Sequence, residues 1–145
     1  MRSRQLLLIA SEFPPGPGGI GRHAWDLAFH LTELSWRIHV VAPQAYASSW
    51  QCERFSQSLP FAFLALDSQS QPPLRHLRRA VVLARAMVKL RPAVIIASGN
   101  RALWAGVALA SAARTPLLAI GHGTEFTLSS SLGRLLTRRA LSFAS

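Results

Sequence analysis

Apolar and polar positions along this chain follow two different periods, and the switches between them predict the elements. Gln5–Ala10, Arg37–Ala42, Phe61–Leu66, Ala93–Ser98 and Pro116–Ile120 are short, nearly unbroken apolar runs. Such runs suit strands buried on both faces of a parallel sheet. Between them lie stretches of helical spacing. Ile20–Leu34 repeats apolar residues at Ile20, Ala24, Leu27, Ala28, Leu31 and Leu34, the stripe of an amphipathic helix. Leu74–Leu90 reads as a longer helix, with Pro92 marking its end. Arg101–Ala113 is an Ala-rich helix with almost no polar face, so it is expected to lie buried, and Ser130–Leu141 is a last helix. Residues 44–60 carry no firm signal, and Ser142–Ser145 reads as the first residues of a sixth strand.

Strands alternating with helices predict an α/β fold, a doubly wound, Rossmann-like parallel sheet closed by right-handed crossovers. Ligands of such sheets sit beyond the carboxyl ends of the strands, where the strand order reverses. That rule selects three loops: Ser11–Gly19, Ser98–Asn100 and Gly121–Thr127. Ser98 and Asn100 are candidate ligand contacts on this ground. The first loop is dense in Gly and Pro and leads into a helix. Free N–H groups and the positive end of the dipole suit a phosphate there, and glycines let it approach. The same glycines would also serve a tight strand-to-helix turn with no ligand.

Composition narrows the setting. The 145 residues make one domain, and the 50% apolar content is enough for a core. A lone Cys52 excludes an internal disulfide and fits a reducing compartment. Sixteen Lys and Arg against six acids give a formal charge of +10, which favours anionic partners. The run Leu6–Ala10 after Arg2 and Arg4 is too short for a secretory signal. The longest apolar stretch, Ala102–Ala113, falls well short of the roughly 20 residues of a membrane span. The expected location is the cytoplasm, with contact at the inner membrane surface. Arg75, Arg78, Arg79, Arg85 and Lys89 share one predicted face of the second helix, with Arg134, Arg138 and Arg139 adding charge further on. They form either a solvated outer face or a contact with anionic lipid. Leu74, Leu77, Val81, Ala84 and Val88 form the stripe expected to face the sheet. Nucleic acid is not expected as a partner, because no recognition motif or aromatic stacking platform accompanies the charge.

The candidate chemistry is sparse. Gly16, Gly18 and Gly21 formally satisfy the dinucleotide fingerprint, but the second strand ends Val40-Val41-Ala42-Pro43-Gln44, without the acid that would hold a ribose. No Gly-Lys-Ser or Gly-Lys-Thr occurs, no Asp-x-Asp, and no His or Cys pair at metal spacing, so no metal and no cofactor is expected. A hydrolase elbow is missing as well. His122 stands between Gly121 and Gly123, which clear space around it, whereas His23 on the first turn of a helix reads as support for the loop.

One ordered set of segments is more specific. Glu12-Phe13-Pro14-Pro15 running into Gly18-Gly19-Ile20-Gly21-Arg22-His23, then Val40-Val41-Ala42-Pro43, Pro92-Ala93-Val94-Ile95-Ile96-Ala97-Ser98 and Gly121-His122-Gly123-Thr124-Glu125, resembles the N-terminal domain of family-4 glycosyltransferases along the whole chain. The resemblance implies one half of a GT-B fold, the acceptor side, with the donor-binding C-terminal domain missing. It implies transfer from a nucleotide-diphosphate sugar to an acceptor hydroxyl, on a small molecule or lipid, with retention of configuration. Gly19 would place its N–H near the donor diphosphate, Gly18 would permit that approach, His122 would meet the sugar, and Glu125 would touch donor or acceptor. Thr124 stands where some relatives carry a second His. A chain of this kind alone is expected to be inactive. The rival reading is a stand-alone binding module that docks to anionic lipid or a partner subunit without catalysis.

Overall fold

The computed structural model describes residues 4–66 and 68–123, together with residues 135, 138, 139 and 142. Five strands, β1 (Gln5–Ala10), β2 (Arg37–Pro43), β3 (Ala62–Leu66), β4 (Val94–Ser98) and β5 (Leu117–Ile120), form one sheet. Its order is β3-β2-β1-β4-β5 and every pairing is parallel. The connections are α1 (Gly19–Glu33), α2 (Ser49–Gln57), α3 (Pro72–Leu90) and α4 (Asn100–Ala113). The chain winds outward from β1 to β3, returns through α3, and winds out the other way. The order therefore reverses between β1 and β4, which pair from Leu6 with Val94 to Ala10 with Ser98.

Central β1 shows why its sequence has no polar alternation. Leu6, Leu8 and Ala10 point into the layer under α1, with Ala24, Ala28, Val40 and Phe61. Leu7 and Ile9 point into the opposite layer, with Leu83, Met87, Ala97 and Ala102. A strand whose side chains alternate between two cores has to be apolar at every position. Each fully buried Leu or Ile of this kind contributes roughly 1.5–3 kcal/mol.

Four expectations change. Residues 49–57, left without a signal, form α2, whose N-terminus is a reciprocal cap. The Ser48 N–H donates to Gln51 Oε1 at 2.8 Å and the Gln51 N–H donates to Ser48 Oγ at 3.3 Å. The Ser48-Ser49-Trp50-Gln51 spacing is the sequence signature of that cap. Its one buried residue is Cys52, whose thiol burial pushes up from its usual pKa. Helix α4 is not buried all round. Ala102, Leu103, Gly106 and Ala110 face the sheet, while Trp104, Ala108 and residues 111–113 are exposed. One stripe suffices to cover β4, and the alanines opposite simply meet solvent. Ser142, expected to open a sixth strand, is helical, its hydroxyl donating to the Arg139 carbonyl at 2.8 Å. The rest of the predicted helix 130–141 and strand 142–145 lies outside the described residues, apart from Leu135, Arg138 and Arg139.

The fourth change is the largest. Helix α3 turns the opposite side to the sheet from the one its sequence suggests. Leu83 and Met87 are buried, with Val82 and Leu90 packed beside them. The supposed core stripe faces out: Leu74 is 46% exposed, Leu77 62%, Val81 39% and Val88 75%. The five cations consequently do not share one face. Arg78, Arg85 and Lys89 are exposed, whereas Arg75 and Arg79 are half-buried and line the inner side. The helix carries two apolar arcs, and periodicity alone has no means of choosing between them.

Candidate functional site

The loop after β1 is anchored by one aromatic side chain. Phe13 is buried against Phe63, stacked at 5.1 Å between centroids, with Phe61 and Phe55 edge-on at 6.2 and 6.4 Å. Gln44, buried just beyond β2, donates from Nε2 to the Phe13 carbonyl at 2.7 Å and to the Pro14 carbonyl at 3.3 Å. Where a dinucleotide site would need an acid, this chain has an amide that holds the loop instead.

The loop delivers two glycines of different kinds to the start of α1. Gly18 has φ 134°, and a side chain there would run into the Glu12 carboxylate. Its identity is set by the backbone, since the exposed Glu12 head has room to shift. Gly19 has, among the described residues, no heavy atom within 4 Å of where a Cβ would stand. It faces open space at a helix start that no side chain caps, with the first-turn N–H groups and the positive end of the dipole available to an anion.

At the point where the strand order reverses, β1, β4 and β5 are tied together. The Ser11 N–H donates to the Ser98 carbonyl at 2.9 Å, and the Gly99 N–H donates to the Ile120 carbonyl at 3.2 Å. Ser11 Oγ accepts from the Ala102 N–H at the start of α4 at 3.3 Å. Fully buried Ser98 holds His122 through a 2.9 Å hydrogen bond between its hydroxyl and Nε2. On the other side the His122 ring meets His23 edge-on at 5.2 Å. His23 lies one turn into α1, so this contact ties the loop after β5 to the glycine-led helix start. The arrangement offers an imidazole of fixed orientation next to a helix N-terminus, at the carboxyl edge of the sheet.

The predicted site residues divide accordingly. Gly18, Gly19, Ser98 and His122 converge on this edge, and Asn100 opens α4 directly behind Gly99. Glu125 lies outside the described residues. Sequence reasoning missed the anchoring roles of Ser11, Gln44 and Gly99, and it placed His23 in support of the loop without its contact to His122. Pairings such as Ser98 with His122, 24 residues apart, leave no trace in local spacing. Among the described residues no group of three His, Cys, Asp or Glu is placed to hold a metal ion.

A family model for Glycosyltransferase Family 4 matches residues 17–145. Among solved structures, MurG of Acinetobacter baumannii is similar with TM-score 0.63 and 16% identity, over 92% of this chain and 39% of that one. HepE of Anabaena, in complex with UDP-glucose, is similar with TM-score 0.62 and 22% identity, over 97% of this chain and 34% of that one. The UDP-GlcNAc 2-epimerase of Methanocaldococcus jannaschii is similar with TM-score 0.59 and 16% identity, over 94% and 37%. At these identities the likeness is one of fold, and this chain spans less than two fifths of each. A search of curated protein sequences gave no match.

Proposed function

The chain belongs to glycosyltransferase family 4, with the Rossmann-like fold of a GT-B half, and from that membership we propose that it forms the acceptor-side wall of an enzyme moving a sugar from a nucleotide-diphosphate donor to an acceptor hydroxyl. The observation that carries this reading is His122, held on Ser98 and against His23 beside the uncapped start of α1. The helix start receives the donor diphosphate through the Gly19 N–H, and His122 contacts the transferring sugar. Reaction with retention, at hexosyl level and without a metal, completes the reading and follows from the family resemblance. A second domain would hold the base and ribose, and its closure against this wall would position donor and acceptor.

Residues 1–145 alone are expected to bind donors weakly, near millimolar or about −4 kcal/mol, and to catalyse no transfer. The check is a titration of the 15N-labelled chain with a panel of nucleotide-diphosphate sugars, beside a transfer assay. Shifts confined to the amides of Gly18, Gly19 and His122 are expected. No saturable shift with any donor would remove the donor reading and leave the stand-alone binding module. Micromolar binding or turnover by this chain would remove the idea that the second half is required.

A peripheral membrane contact belongs to the same proposal, on a changed footing. The outward side of α3 presents Leu74, Leu77, Val81 and Val88 with Arg78, Arg85 and Lys89 alongside. An exposed apolar stripe flanked by cations is the pattern of a helix lying in an anionic lipid interface. No described helix is long and apolar enough to cross a membrane. The proposed setting is the cytoplasmic face of the membrane, a reading that the single Cys52 supports. Replacing Leu77 and Val88 by Ser is expected to weaken binding to anionic vesicles at least about tenfold, roughly 1.4 kcal/mol. Salt is expected to weaken it further. Equal affinity for neutral vesicles would sink the contact.

A further inference from the structure

A cleft lies apart from the edge that carries His122. It encloses about 710 Å³ beyond the carboxyl ends of β1, β2 and β3, between the loop after β1 and the inner sides of α3 and α4. Neither Gly18, Gly19, Ser98 nor His122 lines it. Among the described residues its walls carry the guanidinium groups of Arg75 and Arg79 from α3 and Arg101 from α4, and the carboxylate of Glu12. Arg79 Nη2 donates to Ser68 Oγ at 3.1 Å, which fixes it on the wall. The Nε of Arg75 is buried and makes no hydrogen bond among the described residues. A buried N–H of a charged group without an acceptor is uncommon, because desolvation goes uncompensated. A ligand oxygen entering the cleft would supply the missing partner.

We propose that this cleft is an acceptor subsite for a phosphate ester. One carboxylate is satisfied by one bidentate arginine, whereas three guanidiniums from two helices suit a group with three terminal oxygens and up to two charges. The volume exceeds that of a phosphate and leaves room for the sugar or alcohol that bears it. The word acceptor rests on the glycosyltransferase reading; the phosphate site itself does not. The ester comes either from a soluble sugar phosphate or from a lipid phosphate.

The test follows the arginine Nε–H resonances of the 15N-labelled chain at constant ionic strength, with inorganic phosphate as first probe. Arg75 Nε–H is expected to shift saturably in the millimolar range. Arg75→Gln and the exposed Arg101→Gln are each expected to weaken phosphate at least about tenfold, and Arg85→Gln on the outer face of α3 is expected to leave it unchanged. UDP is expected to move the Gly19 amide without displacing phosphate from Arg75. Equal weakening by Arg85→Gln would reduce the effect to net charge and overturn the proposal. Displacement of phosphate by UDP, with both lost in Arg101→Gln, would make the cleft part of the donor site; that overturns the proposal and leaves the transferase reading standing. Phosphate binding without any UDP binding keeps the anion site and removes the donor reading. Movement of Arg75 with glucose 1-phosphate marks a soluble source, and movement only with phosphatidic acid vesicles, not phosphatidylcholine, marks a lipid one; either supports the site. An Arg75 signal unmoved by all of these probes would overturn it.

Discussion

Gly99→Ala is expected to destabilise the fold by about 2–6 kcal/mol, although alanine adds one methyl group. Two separate costs combine. Gly99 has φ 92°, outside the regions open to L side chains, and strain of that kind costs about 1–3 kcal/mol. Its new Cβ would stand 2.7 Å from Ser11 Oγ and 2.8 Å from Ser11 Cβ, and overpacking adds about 1–3 kcal/mol. Ser11 has little freedom to yield. Its N–H is bonded to the Ser98 carbonyl and its hydroxyl to the Ala102 N–H. Urea unfolding checks this directly, and a loss under about 0.5 kcal/mol would contradict both costs. Gly19→Ala is the companion measurement. Its Cβ meets nothing within 4 Å among the described residues and it opens a helix, so stability is expected to hold or rise slightly.

The contrast between these glycines marks what was legible in the sequence. Central strands could be read because a strand between two cores admits only apolar residues, as in Leu6-Leu7-Leu8-Ile9. Edge strands β3 and β5 are also apolar in sequence but, against expectation, are not buried on both faces, because each has, among the described residues, a neighbour on one side only. The sheet edge that would hold a ligand followed from topology alone, so Ser98, Gly19 and His122 could be selected by position. Which glycine is structural could not be read, because that depends on the positive φ of Gly18 and on Ser11 beside Gly99. The orientation of α3 is not legible for a related reason. Leu83 and Met87 fit the space over the sheet, and Arg75 and Arg79 on the same side find a cleft deep enough for their heads. Long cationic side chains make an inner face look polar on a helical projection, while their stems pack like apolar residues. Helix α2 was missed because only Cys52 is buried on it; its cap, rather than its periodicity, is the readable signal.

In a transferase that pairs this domain with a donor half, His122→Ala is expected to cut turnover by at least about tenfold, or 1.4 kcal/mol in the barrier. The imidazole is held from two sides, by Ser98 Oγ at 2.9 Å and by the His23 ring at 5.2 Å. A side chain fixed in that way loses little entropy when it meets the sugar, and its contact acts on the reacting group rather than on remote binding. The fold is expected to survive. His122 is half-buried in a loop, and the bonds that join β1, β4 and β5 at that edge run through Ser11, Ser98 and Gly99 rather than through the ring. Ser98→Ala separates orientation from contact. It leaves the imidazole present but removes its hydrogen bond, so the expected loss of turnover is smaller than for His122→Ala, with the donor KM nearly unchanged. His23→Ala removes the second support and is expected to fall in the same range. If His122→Ala leaves kcat unchanged in a protein of unaltered circular dichroism, the ring does not touch the sugar. If Ser98→Ala is as damaging as His122→Ala, the pair works as one unit and its orientation, not the bare presence of an imidazole, is what the reaction needs.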